Sequence, residues 1–208
     1  MGLPLTQDER TTKIVKAFVK NAIAGLFFSA LFLLVMSSPA RAQVLAHSGD
    51  VAGYAGYVYI SNMGDISNNH GIYGANGGYN VTPYITVLGE YNYVPLGTVL
   101  SDTFKTQLYG GGARFNFTPS KKIVPYAVFN VGGDRLTVSA GGSSASVNGY
   151  YFGFGGGASC YLGKNWGVRP EFRYIRTEYG EDIGSFNSVA MTGGIFYQWG
   201  GTGTAKKK

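Results

Sequence analysis

The chain has 208 residues, including 33 glycines, 16 tyrosines and 13 phenylalanines, and only 13% of its residues are charged. This composition excludes an ordinary soluble domain and a disordered chain, and the length predicts a single folded domain. The formal net charge is +6, but the excess of basic residues lies at the two ends of the chain, so it does not indicate a nucleic-acid-binding protein.

The first predicted element is a cleaved secretory signal peptide over residues 1–42. Three lysines precede an apolar run of 15 residues at 22–36, and Ala40 and Ala42 supply an A-x-A cleavage site. A transmembrane anchor is the alternative, but a helical span needs about 20 apolar residues. Removal of this segment leaves 12 basic and nine acidic residues, so the mature chain is close to neutral apart from its three C-terminal lysines.

Eight segments with period-2 alternation follow, each bounded by turn-forming residues. They are 51–61, 71–81, 84–94, 104–117, 123–136, 148–162, 166–179 and 186–199. Tight turns alternate with longer polar connections, which are 62–70, 95–103, 137–147 and 180–185. The pattern predicts an all-β fold, an eight-stranded antiparallel up-and-down transmembrane β-barrel over residues 43–199, with short periplasmic turns, longer external loops and both mature termini in the periplasm.

The two faces of the predicted strands differ in polarity. One face is apolar and carries tyrosine, phenylalanine and tryptophan near the turns, as the aromatic girdles of a membrane barrel require. The other face is polar, and because an eight-stranded barrel is filled by side chains, it should become a packed polar core in which charges need partners. The predicted interior charge cluster comprises Glu90, Arg114, Arg169, Glu171 and Arg173. Glycines in 110–112 and 153–157 are predicted to make space for bulky interior neighbours.

Two prolines interrupt this pattern. Pro125 and Pro170 lie inside the fifth and seventh predicted strands, where each removes a hydrogen-bond donor from the sheet. We therefore expect bulges and an irregular rim at the short-turn end. Cys160, the single cysteine, cannot form an internal disulfide and is predicted to be a small buried or lipid-facing hydrophobic residue.

Roughly residues 50–199 resemble the small outer-membrane β-barrels of the OmpA/OmpX type. The resemblance rests on the stretches GGGARFNF, VPYAVFNVGGD and GVRPEFRY. In that family the penultimate strand points a carboxylate and arginines into the barrel. The resemblance therefore implies that Arg169, Glu171 and Arg173 point inward.

The same resemblance implies a C-terminal sorting signal for the outer-membrane assembly machinery. The family's signal has a polar residue, a glycine two positions on, and aromatic residues three and five positions after that glycine. The matching residues are Thr192, Gly194, Tyr197 and Trp199. Residues 200–208 continue beyond the final aromatic residue and are predicted to be a flexible basic tail. The expected partners are outer-membrane lipid, lipopolysaccharide and the assembly machinery.

Catalysis, a metal and a cofactor are not expected. His47 and His70 are predicted to be solvated surface side chains that lie away from any nucleophile. Three acidic residues in the last predicted loop, Glu178, Glu181 and Asp182, lack the fixed spacing of a calcium site. The GFGGG stretch lies within a predicted strand that no helix follows, which argues against a phosphate-binding loop.

The leading hypothesis is a non-enzymatic outer-membrane protein with a role in envelope integrity or surface contact. A small pore is an alternative because interior charges can set selectivity, although eight strands leave little room for a channel. A third hypothesis is an adhesin that acts through loops 62–70 and 137–147. An enzyme acting on lipid ranks last, and the predicted loops do not identify a surface ligand.

Overall fold

A computed structural model describes residues 43–61, 67–99, 102–180 and 184–201. The predicted signal peptide and residues 202–208 of the predicted tail lie outside this part of the chain and stay predictions. Within the described ranges, no helix is both long enough and apolar enough to cross a membrane.

The described residues form eight β-strands that close into a barrel. They are β1 (Ser48–Ile60), β2 (Asn69–Asn80), β3 (Ile85–Val99), β4 (Asp102–Asn116), β5 (Ile123–Ala140), β6 (Ser143–Tyr161), β7 (Trp166–Glu178) and β8 (Ser185–Gly200). Each strand pairs antiparallel with the next, and β1 also pairs antiparallel with β8. The predicted all-β up-and-down barrel is therefore confirmed, and β8 extends one residue into the segment that was predicted to be tail.

Two of the four predicted long loops are wrong. Most of 95–103 and 137–147 is paired strand, because β3 reaches Val99 before β4 begins at Asp102, and β5 and β6 are joined only through Gly141 and Gly142. These two glycines have φ values of 53° and 89°, as a two-residue type I′ turn requires. The polar composition suggested loops, but strands can pair through their backbones even where their side chains are polar.

The expected bulges at the prolines are also wrong. The described β5–β6 register does not shift at Pro125, whose carbonyl accepts a hydrogen bond from the Phe117 amide at 2.9 Å. Phe117 lies opposite Pro125 and follows the last residue of β4. The hydrogen bond that Pro125 cannot donate would therefore lie at the rim of the sheet. Pairing of β6 with β7 lapses beside Pro170 without a change of register. A register shift occurs instead at the other end of the barrel, between Pro95 and Gly97.

The outward face has aromatic residues toward both ends of the strands. Exposed aromatic side chains near the loop end are Tyr57, Tyr73, Tyr91, Tyr109 and Tyr150, and those near the turn end are Tyr79, Tyr84, Phe117, Trp166, Tyr197 and Trp199. Exposed valines, phenylalanines, Met191 and Ile195 lie between them. Tyr109 and Phe117 are eight positions apart, which in a tilted strand corresponds to a band roughly 20–25 Å tall. This height matches the hydrocarbon-facing band of an outer-membrane barrel.

The inward-facing side chains form three layers. An apolar cluster of Val44, Ala52, Val124, Tyr161 and Phe196 lies at the turn end. Charged and tyrosine side chains fill the middle, and a second apolar cluster that includes Val58, Ile72, Val94, Leu108 and Ile175 lies at the loop end. The prediction of a polar core is therefore correct for the middle of the barrel, whereas apolar clusters lie at its loop end and at its turn end.

Candidate functional site

All five residues of the predicted interior charge cluster point into the barrel. Glu90 lies on β3, Arg114 on β4, and Arg169, Glu171 and Arg173 on alternate positions of β7. Alternation alone places the β7 residues on one face. Their side chains and that of Glu90 are no more than 8% exposed, so each charge needs a partner within the protein.

Arg173 bridges two carboxylates from different strands. Its Nη1 donates to Glu90 Oε2 at 2.6 Å, and its Nε donates to Glu171 Oε1 at 2.7 Å. The hydroxyl of Tyr151 donates to Glu90 at 2.9 Å, and the hydroxyl of Tyr126 donates to Glu171 at 2.7 Å. The two acids share the Arg173 guanidinium, and each also accepts from one tyrosine hydroxyl. These contacts join β3, β5, β6 and β7 across the interior.

The other two arginines share an acid that was missing from the predicted cluster. Asp50 accepts from Arg114 Nη1 at 3.1 Å and from Arg169 Nη1 at 3.2 Å. The first strand was predicted to begin at residue 51, so Asp50 was left outside it. Its inward position could have been found by continuing the alternation of Ala52 and Tyr54 one step toward the N-terminus. With Asp50 included, three acids balance three arginines.

Aromatic rings connect the two groups of charges. The Arg114 guanidinium lies 5.3 Å from the ring centre of Tyr126, whose hydroxyl binds Glu171. The Arg169 guanidinium lies 4.5 Å from the ring centre of Phe196 on β8. Both distances suit cation–π contacts. The six charged side chains and their aromatic neighbours therefore form one interior network, which we call the charge network.

Glycines make room for this network, as predicted. A Cβ atom on Gly157 would lie 2.6 Å from the Tyr126 hydroxyl, and one on Gly155 would lie 2.7 Å from Cγ of Arg173. Real Cβ atoms do not approach so closely, so any larger residue would displace the tyrosine or the arginine. The glycine-rich stretch of β6 is therefore the counterpart of the large side chains that face it.

The first described residues close the turn end of the barrel. The Val44 amide donates to the Pro119 carbonyl at 2.9 Å, in the β4–β5 turn, and the Gln198 side chain donates to the Gln43 carbonyl at 3.2 Å. Val44 is 7% exposed and packs in the turn-end apolar cluster. We call residues 43–47 the N-terminal plug. No periodic pattern marks a segment between a signal peptide and the first strand, so the sequence does not predict this plug.

The family of the chain follows from a comparison of sequences. The family model described as "Outer membrane protein beta-barrel domain" matches residues 28–195. The chain belongs to this family. Membership assigns the protein to the bacterial outer membrane, in agreement with the closed barrel and its apolar outer band.

Solved outer-membrane barrels share the fold at low sequence identity. Neisserial surface protein A (NspA) is 19% identical with a TM-score of 0.64, and the match covers 73% of this chain and 97% of NspA. The N-terminal β-barrel domain of Pseudomonas aeruginosa OprF is 15% identical with a TM-score of 0.54, covering 74% and 99%. Ail, the attachment invasion locus protein of Yersinia pestis, is 16% identical with a TM-score of 0.52, covering 74% and 100%. No curated protein matches the sequence.

The residues of the predicted assembly signal take two orientations in this outer-membrane barrel. Tyr197 and Trp199 are about half exposed on the outer face, with stacked rings whose centres lie 6.5 Å apart. Thr192 and Gly194 share the inward face of β8, and a Cβ on Gly194 would lie 2.6 Å from Cβ of Tyr54. Recognition of these residues by assembly machinery stays a prediction.

The two histidines differ from each other. His47 is exposed and its Nδ1 lies 3.3 Å from the Tyr79 hydroxyl. His70 is 7% exposed within β2, so the prediction of a solvated loop histidine is wrong for it. β2 begins at Asn69, two residues before its predicted start, so His70 is an inward-facing strand residue and not a loop residue.

The other residues considered from the sequence do not form a metal site within the described part of the chain. Glu178 is partly exposed at the end of β7 and pairs with Arg176 at 3.0 Å, whereas Glu181 and Asp182 lie outside the described residues. Within the described ranges, no three acidic, histidine or cysteine side chains are grouped as a metal site would require. Cys160 is half-buried on the outward face of β6, in agreement with a small membrane-facing residue.

One buried acid lies apart from the charge network. Asp134 on β5 accepts hydrogen bonds from the hydroxyls of Thr106 and Tyr179. Tyr179 follows the end of β7, and burial raises the pKa of its hydroxyl, an effect to which the neighbouring Asp134 carboxylate adds. The tyrosine therefore stays a hydrogen-bond donor at any physiological pH.

Proposed function

We propose that the protein is a non-enzymatic, non-conducting outer-membrane barrel with a role in envelope integrity or surface contact. The observation that carries this proposal is the charge network, which joins strands from opposite sides of the barrel through its interior. A continuous aqueous path would have to separate Arg173 from Glu90 and Glu171. Leaving one member of a buried ion pair without its partner costs about 3–5 kcal/mol, so the closed arrangement is favoured.

The N-terminal plug gives the proposal a second, independent support. Residues 43–47 cross the turn end and bury Val44 among Val124, Tyr161 and Phe196. A solute that passed the charge network would next meet this apolar layer. Two different barriers in series favour a structural barrel over a small pore.

Planar lipid bilayers test the absence of conductance. We expect the refolded protein, with folding verified by heat-modifiable gel migration, to insert without producing current steps. Current steps that change with Glu171→Gln and not with Glu178→Gln would instead support the pore. The second variant is a matched control because Glu178 lies on the same strand but is partly exposed at its end.

We further propose that the turn end and both mature termini face the periplasm. The predicted signal peptide and C-terminal signal support this orientation, which leaves the loop end facing lipopolysaccharide and the exterior. The test uses single cysteines in a Cys160→Ala background. A membrane-impermeant maleimide should label Gly142→Cys in intact cells and should label Lys121→Cys only after the outer membrane is permeabilised. The reverse pattern would overturn the orientation.

An adhesin remains a second candidate because one hairpin is unusually long. β5 and β6 have 18 and 19 residues, the largest numbers among the described strands, and Ser143–Asn148 of β6 are exposed. The hairpin therefore projects beyond the apolar band and offers backbone and hydroxyl groups for surface contact. Replacing residues 139–144 with Asn-Gly should reduce adhesion of expressing bacteria to cultured host cells while heat-modifiable migration is retained. Unchanged adhesion would remove this hairpin from the hypothesis.

A further inference from the structure

The loop-end layer of the barrel surrounds a cavity of about 280 Å³. Ten of the fifteen side chains that line it are aliphatic or phenylalanine, so its surface is mainly hydrocarbon. The lining includes Val58, Ile72 and Leu96 on one side and Leu108, Leu136 and Phe186 on the other. The interior of an outer-membrane barrel is ordinarily polar, so apolar residues at these inward positions need a separate explanation.

The volume of the cavity exceeds what loose packing accounts for. Native interiors contain few voids larger than a water molecule. An apolar cavity of about 150 Å³ stays dry and binds benzene, so in proportion this cavity has room for a hydrocarbon of about ten carbons. It also approaches the lower end of small-molecule pockets, at about 300 Å³. Aliphatic walls around such a space favour an apolar occupant over water.

One wall of the cavity carries a polar group of defined chemistry. Asp134 is fully buried there, and Thr106 and Tyr179 both donate to its carboxylate. No arginine, lysine or histidine among the described residues forms an ion pair with Asp134. The Arg135 backbone amide also donates to this carboxylate, which has about four lone-pair sites, so about one site remains for a further donor. A second carboxylate would be repelled at this position.

We propose that this cavity binds a small hydrophobic molecule of about ten carbons whose hydroxyl or amine group donates a hydrogen bond to Asp134. The hydrocarbon part packs against the aliphatic lining. Fatty acids are disfavoured because their carboxylate would lie beside that of Asp134. The site is separate from the charge network and does not depend on whether the barrel conducts.

The probes for the test are 1-decanol and decanoate, added at pH 8 to the mature protein in lipid nanodiscs. NMR of isotope-labelled isoleucine, leucine and valine methyl groups reports where each probe binds. Saturable shifts confined to inward methyls such as Ile72 and Leu136 support the site. Equal, non-saturating shifts at outward Val87 and Ile195 would show partition into lipid only and would overturn the proposal, as would an absence of shifts. Decanoate should bind at least about tenfold more weakly than 1-decanol, and equal binding would refute the assigned polar group.

Matched variants separate occupancy of the cavity from general effects. Leu108→Trp fills the cavity and should weaken 1-decanol binding more than about tenfold, whereas Val131→Trp on the outer face of β5 should leave it within about twofold. Retained binding in Leu108→Trp would overturn the proposal. Asp134→Asn removes the repelling charge and should bring the affinities of the two probes within about threefold. If Leu108→Trp does not fold, the wild-type methyl shifts and Asp134→Asn still decide the outcome.

Discussion

Replacement of Arg173 by methionine should destabilise the barrel strongly. In the wild type the Arg173 guanidinium lies 2.6 Å from Glu90 and 2.7 Å from Glu171. The substitution leaves both carboxylates buried without a cation. Breaking one buried pair costs about 3–5 kcal/mol, and because two acids lose the same partner we expect about 5 kcal/mol. Equilibrium urea unfolding in lipid vesicles, followed by the fluorescence of Trp166 and Trp199, measures the loss.

Two further variants make the result specific to the charge network. Adding Glu90→Gln and Glu171→Gln to Arg173→Met removes the unpaired charges and should restore the free energy of unfolding to within about 2 kcal/mol of wild type. Arg176→Met breaks the partly exposed pair with Glu178 and an exposed 3.5 Å hydrogen bond to Ser185, so it should cost about 0–1 kcal/mol. Equal effects of Arg173→Met and Arg176→Met, or no recovery in the triple variant, would refute the reasoning.

The assembly signal and the glycine packing give further predictions. Tyr197→Ala combined with Trp199→Ala should lower the amount of folded protein in the outer membrane, measured by heat-modifiable migration, while its unfolding in detergent changes much less. Deletion of 200–208 should alter neither quantity, and loss of assembly on that deletion alone would show that the signal is misplaced. Gly157→Ala should cost about 1–3 kcal/mol in urea unfolding, because its Cβ would lie 2.4 Å from a backbone carbonyl. Gly77→Ala meets no atom closer than 4.0 Å and should be nearly neutral, so equal costs would refute the packing argument.

The wrong strand boundaries share a physical cause. Strand length was predicted from side-chain alternation, yet strands are held by backbone hydrogen bonds, which are indifferent to polar composition. For that reason the outer part of the β5–β6 hairpin, residues 137–147, is predicted to be a loop, and Asp50 and His70 fall outside the predicted strands. The assigned faces were correct wherever the boundaries were, because alternation has a fixed period of two.

The sequence by itself determined the architecture and much of the interior. Segment number, alternation and aromatic residues near the turns specified an eight-stranded membrane barrel, and face assignment placed Glu90, Arg114, Arg169, Glu171 and Arg173 inside it. These features are local and periodic, so they can be read along the chain without knowledge of partners.

Only the tertiary structure decided which groups meet across the barrel. It paired Arg114 and Arg169 with Asp50, laid the N-terminal plug over the turn end, and gathered apolar side chains from seven strands around one cavity. These contacts depend on strand register, tilt and closure, which bring together residues as far apart in sequence as Val58 and Phe186. No local pattern carries that information, since each strand shows only its own few inward residues.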